Sequence, residues 1–286
     1  MKNKMINVVR KCITPLLWDK LVFLKVFGRI PNVTKPKLYN EKIIQRKHFD
    51  KNYLYVLCAD KLLVRNYIKD RVGEKYLIPL LYNDLTVENL LQLKGKHGLV
   101  IKANHSAGMV KVYDQEEIDD EEIKKLRILI SDWLNTDYSK LANEWHYGKI
   151  VPKVYAEKSI VKNGRLPDDY KFHCFKQLNG DIKWVLQVIS GRGLNLSIRY
   201  FDNSLYNCVR KIGEAESSLS QREVDVLTQA IELNKKLCEH FSYVRIDWYV
   251  SDRNLYFGEL TFTPAGGYSK NPGQFLEKKM GEYWVL

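Results

Sequence analysis

Near the end of the chain, Val244-Arg245-Ile246-Asp247-Trp248-Tyr249 and Leu255-Tyr256-Phe257-Gly258-Glu259-Leu260-Thr261 set charged residues into strand-like surroundings. Side chains alternate along a strand, so Arg245, Asp247 and Tyr249 share one face of the first segment. By the same rule Phe257, Glu259 and Thr261 share one face of the second. A hairpin turning at 251–254 lets Asp247 and Glu259 face one another. Two carboxylates so placed repel each other in apolar surroundings and need a cation between them. Hard oxygen ligands in low number, with room left for phosphate oxygens, point to magnesium. The same residues also suit a solvated hairpin with an Arg245–Asp247 ion pair. Residue types alone leave both readings open.

A second candidate follows Leu99-Val100-Ile101-Lys102. A strand ending in lysine, then Ala103-Asn104-His105-Ser106-Ala107-Gly108, then a strand over 110–113, presents backbone N–H groups and an ammonium to a phosphate. The Walker A pattern is absent, and an ordinary hairpin with a surface lysine uses the same residues. Glu157-Lys158-Ser159-Ile160 and Asp169-Tyr170-Lys171 say little singly, because charged residues at strand ends are usually solvated.

These residues must be carried by regular elements. The spacing predicts helices over 40–48 and 59–69, closed by Gly73 and Pro79, and another around 87–93. An acidic and then helical stretch covers 116–134, and a strand covers 151–160. Segments 170–177 and 181–190 flank Asn179-Gly180, a strong hairpin signal. Strands at 196–201 and 206–211 continue the meander. Ser220 with Glu223 forms a capping box for a helix reaching about residue 240. Strands over 243–250 and 254–261 follow. Helices first and a sheet-rich body after them make the class α+β.

At 286 residues, with 45% hydrophobic and 12% aromatic residues, the chain buries a core of one or two domains and is not disordered. No run reaches the roughly 18–20 apolar residues of a membrane span, and no secretory cleavage site is evident. Five scattered cysteines without a C-x-x-C pair argue against a disulfide framework or structural zinc. They favour reduced thiols and a cytoplasmic location. A net charge of +12 attracts polyanions. Without an RRM, zinc-finger or helix-turn-helix signature, nucleic acid is not the expected partner. Residues 1–30 mix Lys and Arg with Leu16-Leu17-Trp18 and Leu21-Val22-Phe23-Leu24. Such an amphipathic helix packs on the protein's own core or lies on an anionic membrane surface.

The order of these signals resembles the ATP-grasp superfamily across roughly residues 55–267. The matching series is Lys61 in Ala59-Asp60-Lys61-Leu62 before Gly73 and Pro79, then Lys102 with its small-residue loop. The hinge Glu157–Ile160, Asp169-Tyr170-Lys171, Arg245-Ile246-Asp247 and Glu259-Leu260-Thr261 complete it. Within that superfamily the phrasing is similar to the TupA-like group, associated with polysaccharide and teichuronopeptide biosynthesis. The resembling phrases are Tyr39-Asn40-Glu41-Lys42-Ile43, Asp60-Lys61 with Val64-Arg65, Tyr76-Leu77-Ile78-Pro79-Leu80, Lys102-Ala103-Asn104-His105 and Gly258-Glu259-Leu260-Thr261-Phe262-Thr263-Pro264. Two departures stand out. Thr261 replaces an asparagine of the superfamily, and the loop after Lys102 is poor in glycine.

The resemblance implies an ATP-grasp fold, two α+β subdomains clasping ATP. The expected division is a mainly helical region 1–97, a small lid 98–160 and a C-terminal subdomain 161–286 with the metal site. It implies magnesium on Asp247 and Glu259 with Thr261 assisting, and the α- and β-phosphates on Lys61 and Lys102. Asn104, His105 and Ser106 would hydrogen-bond phosphate. Lys171 would contact the γ-phosphate and Arg245 the acyl-phosphate oxygens. Glu157 and Ile160 would meet adenine, and Asp169 would orient Lys171 or the ribose. The implied activity is ATP-dependent carboxylate–amine ligation through an acyl phosphate, attaching an amino acid to an acidic sugar or polysaccharide precursor. The alternatives are a glycosyltransferase or sugar-modifying transferase of the same pathway, although the chain has no D-x-D, and a non-enzymatic basic scaffold. The expected location is cytoplasmic, with peripheral contact at the inner face of the membrane through residues 1–30 left open.

Overall fold

The alternating apolar segments assemble into two antiparallel sheets in the computed structural model, which describes residues 10, 12–162, 164–214, 216–251 and 253–285. Residues 1–9 and 11 of the basic segment lie outside the described residues. The smaller sheet contains β1 (Leu80–Tyr82), β2 (Leu99–Ala103), β3 (Val110–Tyr113) and β4 (Val154–Lys158), in the order β1-β4-β2-β3. The larger contains β5 (Asp169–Lys176), β6 (Ile182–Ser190), β7 (Ser197–Asp202), β8 (Cys208–Ile212), β9 (Tyr243–Ser251) and β10 (Asn254–Thr261). Its order is β10-β9-β5-β6-β7-β8.

Helices α1 (Pro15–Phe27), α2 (Tyr39–Phe49), α3 (Leu54–Ala59) and α4 (Val64–Arg71) precede the strands. Helices α5 (Asp120–Leu134) and α6 (Tyr138–Ala142) follow β3, α7 (Gln221–Leu237) separates β8 from β9, and α8 (Gly273–Tyr283) closes the chain. The capping box of Ser220 and Glu223 forms as its sequence requires. No described helix is long and apolar enough to cross a membrane.

Helices pack on three of the four sheet faces, and the remaining face of the smaller sheet lines a cavity. The α7 stripe Val224, Leu227, Ala230 and Leu237 joins one core with Phe172, Leu186, Val244, Ile246 and Trp248. The opposite face of the large sheet is roofed at one end by α2 and α8, where Tyr39, Ile43, Leu276, Met280 and Trp284 pack on Phe175, Val185 and Tyr243. Arg46 of α2 is buried there, donating to the Tyr243 carbonyl at 2.8 Å with its guanidinium 4.4 Å from the Trp284 ring centre. A further core, including Leu85, Leu90, Leu93, Ile101, Ile123, Leu126 and Ala156, joins the smaller sheet to α5.

Three local expectations need correction. The helix over 59–69 is split: Asp60 Oδ1 accepts the N–H groups of Leu62 at 2.8 Å and Leu63 at 3.2 Å, a local turn that competes with the helix. Lys61 therefore sits in a turn between α3 and α4. The helix around 87–93 shrinks to a 3₁₀ turn at Leu90–Leu93, behind Asn89, whose side chain accepts from the Thr86 N–H at 2.9 Å. Phe257 does not share a face with Glu259. The β9–β10 register slips between Phe257 and Glu259, pairing Phe257 with Trp248 in the core and Glu259 with Asp247 on the opposite face. This bulge at Gly258 is what brings the two carboxylates across from each other.

A Cβ at Gly258 would lie 3.1 Å from both the Asp247 carbonyl oxygen and the Tyr249 ring. Gly258→Val is expected to lower stability by about 1–3 kcal/mol through overpacking. Urea unfolding measures this, and an unchanged midpoint would show that the bulge accepts a side chain.

Candidate functional site

Cross-strand pairing sets Lys171 on β5, Asp247 on β9 and Glu259 on β10 in one row, with His173, Arg245 and Thr261 in the row beside it. The cation between the two carboxylates is the Arg245 guanidinium. Its Nε lies 2.7 Å from Asp247 Oδ1, and its Nη2 lies 2.7 Å from both Asp247 Oδ2 and Glu259 Oε1. Thr261 accepts from Arg245 Nη2 at 3.0 Å and donates to Glu259 Oε1 at 2.8 Å. Lys171 pairs with Asp247 and, at 3.1 Å, with Asp169, which Arg192 holds from its other side at 2.5 Å. Lys61 Nζ lies 3.8 Å from Glu259 Oε2 and donates to the Ser106 carbonyl at 2.6 Å.

The hairpin is thus no solvated surface feature, since Asp247 is only 2% exposed. Burial alone would raise the Glu259 pKa, yet the charges of Lys61, Arg245 and Lys171 and the Thr261 hydroxyl outweigh it and hold the group down to about 2. Arg245 also loses hydration by burial, but Asp247 and Glu259 more than restore its charged form. Burial lowers the Lys61 pKa, with Glu259 opposing and Lys102 assisting that shift.

Two cavities of 370 Å³ flank this charged row. One lies between the sheets and is lined by Lys102, Glu157, Ile160, Asp169, Arg192 and Tyr249, with apolar walls such as Val100 and Leu166. Lys102 and Glu157 form an ion pair there. The other has Arg245, Glu259 and Thr261 in its wall and is bounded by residues of α1 and α6. Larger hollows of 730 Å³ beside Lys183 and 640 Å³ beside Arg65 are not lined by this charged row.

Most of the residues singled out by sequence converge on these two cavities and the row between them. Asn104 and His105 are directed elsewhere. Asn104 Nδ2 donates to Asp60 at 3.0 Å and to the Val151 carbonyl at 3.1 Å, while its Oδ1 accepts from the Lys153 N–H at 2.8 Å. His105 contacts the Trp133 carbonyl at 3.1 Å and Asn104 at 3.2 Å. Both side chains brace the turn from behind. Ser106 Oγ, in contrast, is buried without a hydrogen-bond partner among the described residues, an atom that an incoming phosphate oxygen would satisfy. Sequence reading missed Arg192, whose only signal is its place between Gly191 and Gly193, and Glu144, which stands in no recognisable pattern.

Among the described residues no group of three or more His, Cys, Asp or Glu side chains gathers into a metal centre. Asp247, Glu259 and the Thr261 hydroxyl could instead hold an ion that keeps phosphate oxygens and water in most of its shell. That donor set fits magnesium carried by a nucleotide.

A model of the TupA-like ATPgrasp family matches residues 41–285. No curated protein matches the chain in sequence. Among solved structures, the chain is similar to D-alanine-D-alanine ligase from Helicobacter pylori, with 18% identity and a TM-score of 0.47 over 80% of this chain and 62% of that one. It is also similar to L-amino acid ligase from Bacillus licheniformis, with 15% identity and a TM-score of 0.41 over 79% and 45%. A third is D-alanine--D-alanine ligase from Bacillus anthracis complexed with ATP, with 19% identity and a TM-score of 0.39 over 75% and 57%. The chain spans less than two thirds of each of these proteins.

The depressed pKa of Glu259 has a consequence for acid stability. Its contribution is fully present above the ordinary value of 4.5 and is lost as pH falls towards about 2. Urea midpoints of wild type and Glu259→Gln are expected to converge as pH is lowered from 4.5 towards about 2. A gap that stays constant would refute an ionised Glu259 held by its neighbours.

Proposed function

Because the chain belongs to the TupA-like ATP-grasp family, we propose that it is an ATP- and magnesium-dependent carboxylate–amine ligase working through an acyl phosphate. The observation that carries this reading is the charged row Lys61–Glu259–Arg245–Asp247–Lys171–Asp169–Arg192, buried at Asp247 and Asp169 and open at Arg192, set between the inter-sheet cavity and the cavity beside α1. The first cavity suits a nucleotide. Its apolar walls take the base beside Glu157 and Ile160, and Lys102 meets phosphate. Strands β2, β3 and β4 of the smaller sheet, with β1 of the region 1–97 added at its edge, then act as the lid 98–160 over the C-terminal subdomain 161–286.

In this mechanism an oxygen of the carboxylate substrate attacks the γ-phosphorus and ADP departs. The amine nitrogen then attacks the acyl carbon, the bond to phosphate breaks, and the departing phosphate carries off a proton. Positioning and charge neutralisation supply most of such a transfer. Lys61 and Lys102 hold the α- and β-phosphates, with Ser106 as a further donor. Lys171 contacts the γ-phosphate, oriented by Asp169. Arg245 keeps Asp247 and Glu259 ionised and turns its remaining donors to the acyl-phosphate oxygens. Asp247, Glu259 and Thr261 would hold magnesium, which would supply charge neutralisation at the phosphates.

The substrates fall to an amino acid and an acidic sugar or polysaccharide precursor of cell-envelope biosynthesis, a choice supported by the family's teichuronopeptide association and the net charge of +12. ATP with magnesium is expected to raise the melting temperature of wild type, and ADP and phosphate to be released with the right substrate pair. Asp247→Asn and Glu259→Gln are expected to abolish both responses. ATP–magnesium binding that survives both substitutions would sink the site assignment. Protection by a nucleotide sugar instead of ATP would favour the transferase alternative.

The location follows from α1. Leu17, Leu21 and Leu24 are exposed on this helix at spacings of four and three, near Lys20 and Lys25. Such a surface supports peripheral contact with the anionic inner face of the membrane. Replacing the three leucines by serine is expected to reduce co-sedimentation with anionic vesicles and to leave ATP binding intact. Undiminished co-sedimentation would remove the membrane role from this helix.

A further inference from the structure

The cavity beside α1 holds three acids, and two of them are neutralised by the protein itself. Glu259 has Arg245. Asp19, 1% exposed, has Lys47 and His48 at 2.8 Å and Asn143 at 2.9 Å. Glu144 forms no ion pair among the described residues, Lys47 acting on it only from beyond contact. It is 6% exposed, and its hydrogen-bond partner among the described residues is the neutral hydroxyl of Thr263. A buried carboxylate left this way is costly unless it takes up a proton or a cation arrives from outside. Burial, countered by Thr263 and Lys47 and reinforced by Asp19 and Glu259, pushes its pKa up to about 7.

Besides Arg245, one other cation lines the wall, Arg10, whose guanidinium donates to the Leu141 carbonyl at 2.9 Å and to Asn143 Oδ1 at 3.3 Å; the aromatic part of the wall suits the same visitor. Trp18, Tyr138, Tyr147 and Tyr268 surround the cavity, and ring faces attract cations. A volume of 370 Å³ admits a small molecule. The inner wall is formed by Arg245, Glu259 and Thr261, so whatever binds there lies against the charged row.

We propose that this cavity is the subsite for the amine-bearing substrate, a small primary ammonium compound such as an amino acid or amino sugar, and that Glu144 recognises its charge. The assignment rests on the ligase reading and adds to it which end of the site takes which reactant. The nucleotide enters between the sheets, and the amine enters on the α1 side.

The test uses the full chain with ADP and magnesium, challenged by the L-amino acids and glucosamine and, in parallel, by their N-acetyl derivatives. At least one free amine is expected to raise the melting temperature by roughly 5 °C near saturation, and its N-acetyl form to do nothing. The amino-acid and glucosamine arms separate the two sources of the ammonium group. Glu144→Gln is expected to lose the amine response and keep the nucleotide response. Tyr138→Leu, on the half-exposed rim, is expected to weaken the amine response as well, and serves if the first variant does not fold. Equal effects of free and acetylated amines, a full amine response in Glu144→Gln, or no amine response at all would overturn the proposal. Absence of the nucleotide response from wild type would overturn the ligase reading itself.

Discussion

Like charges cannot share a buried sheet face unless opposite charges are threaded between them, and the architecture around Asp247 is organised by that requirement. Asp169, Asp247 and Glu259 stand on three neighbouring strands. Each would be raised in energy by desolvation and by the others. Arg192, Lys171, Arg245 and Lys61 alternate with them, so every carboxylate oxygen engaged in the row meets a cation. Removing one member would leave an uncompensated buried charge, which is more costly than losing the pair.

Holding that alternation takes help from outside the row. The bulge at Gly258 moves Glu259 onto the right face. Beneath it, the hydroxyls of Tyr39 and Tyr243 lie 2.6 Å apart, and His173 Nδ1 is 3.1 and 2.9 Å from them. Burial, helped by the charges of Arg245 and Lys171, pushes the His173 pKa well below the ordinary imidazole range. Tyr39 comes from α2, so the helical N-terminal region is bound into the floor of the site. Arg46, also of α2, reinforces that join from within the core.

Much of this was legible because strands declare themselves by alternation. Asn179-Gly180 fixed the β5–β6 hairpin, Ser220 and Glu223 fixed the start of α7, and the segments around Asp247 and Glu259 read as paired strands. Period alone could not reveal a one-residue slip, so Phe257 was assigned to the wrong face. Asp60 had the same effect on helix reading: its side chain closes a turn that no propensity average registers. Asn104 and His105 looked like phosphate donors by type, but whether a polar side chain points into a cleft or backs up its own turn depends on residues such as Lys153 and Trp133, distant in sequence. Glu144 was invisible for a related reason. Its meaning lies in a missing partner, which only the packed structure can disclose.

The self-balanced row also bears on what this cationic protein selects. Its four cations face three carboxylates, so the groups at its centre are nearly neutral as a set despite the chain's charge of +12. A bare polyanion finds those cations already engaged and gains little by entering. A ligand bearing both signs, phosphate together with a divalent ion, can exchange partners with the row member by member without stranding a charge. If this row is the ATP–magnesium site proposed above, it discriminates by the arrangement of charge a visitor brings and not by its total, while the surplus lysines and arginines elsewhere are left to set long-range attraction.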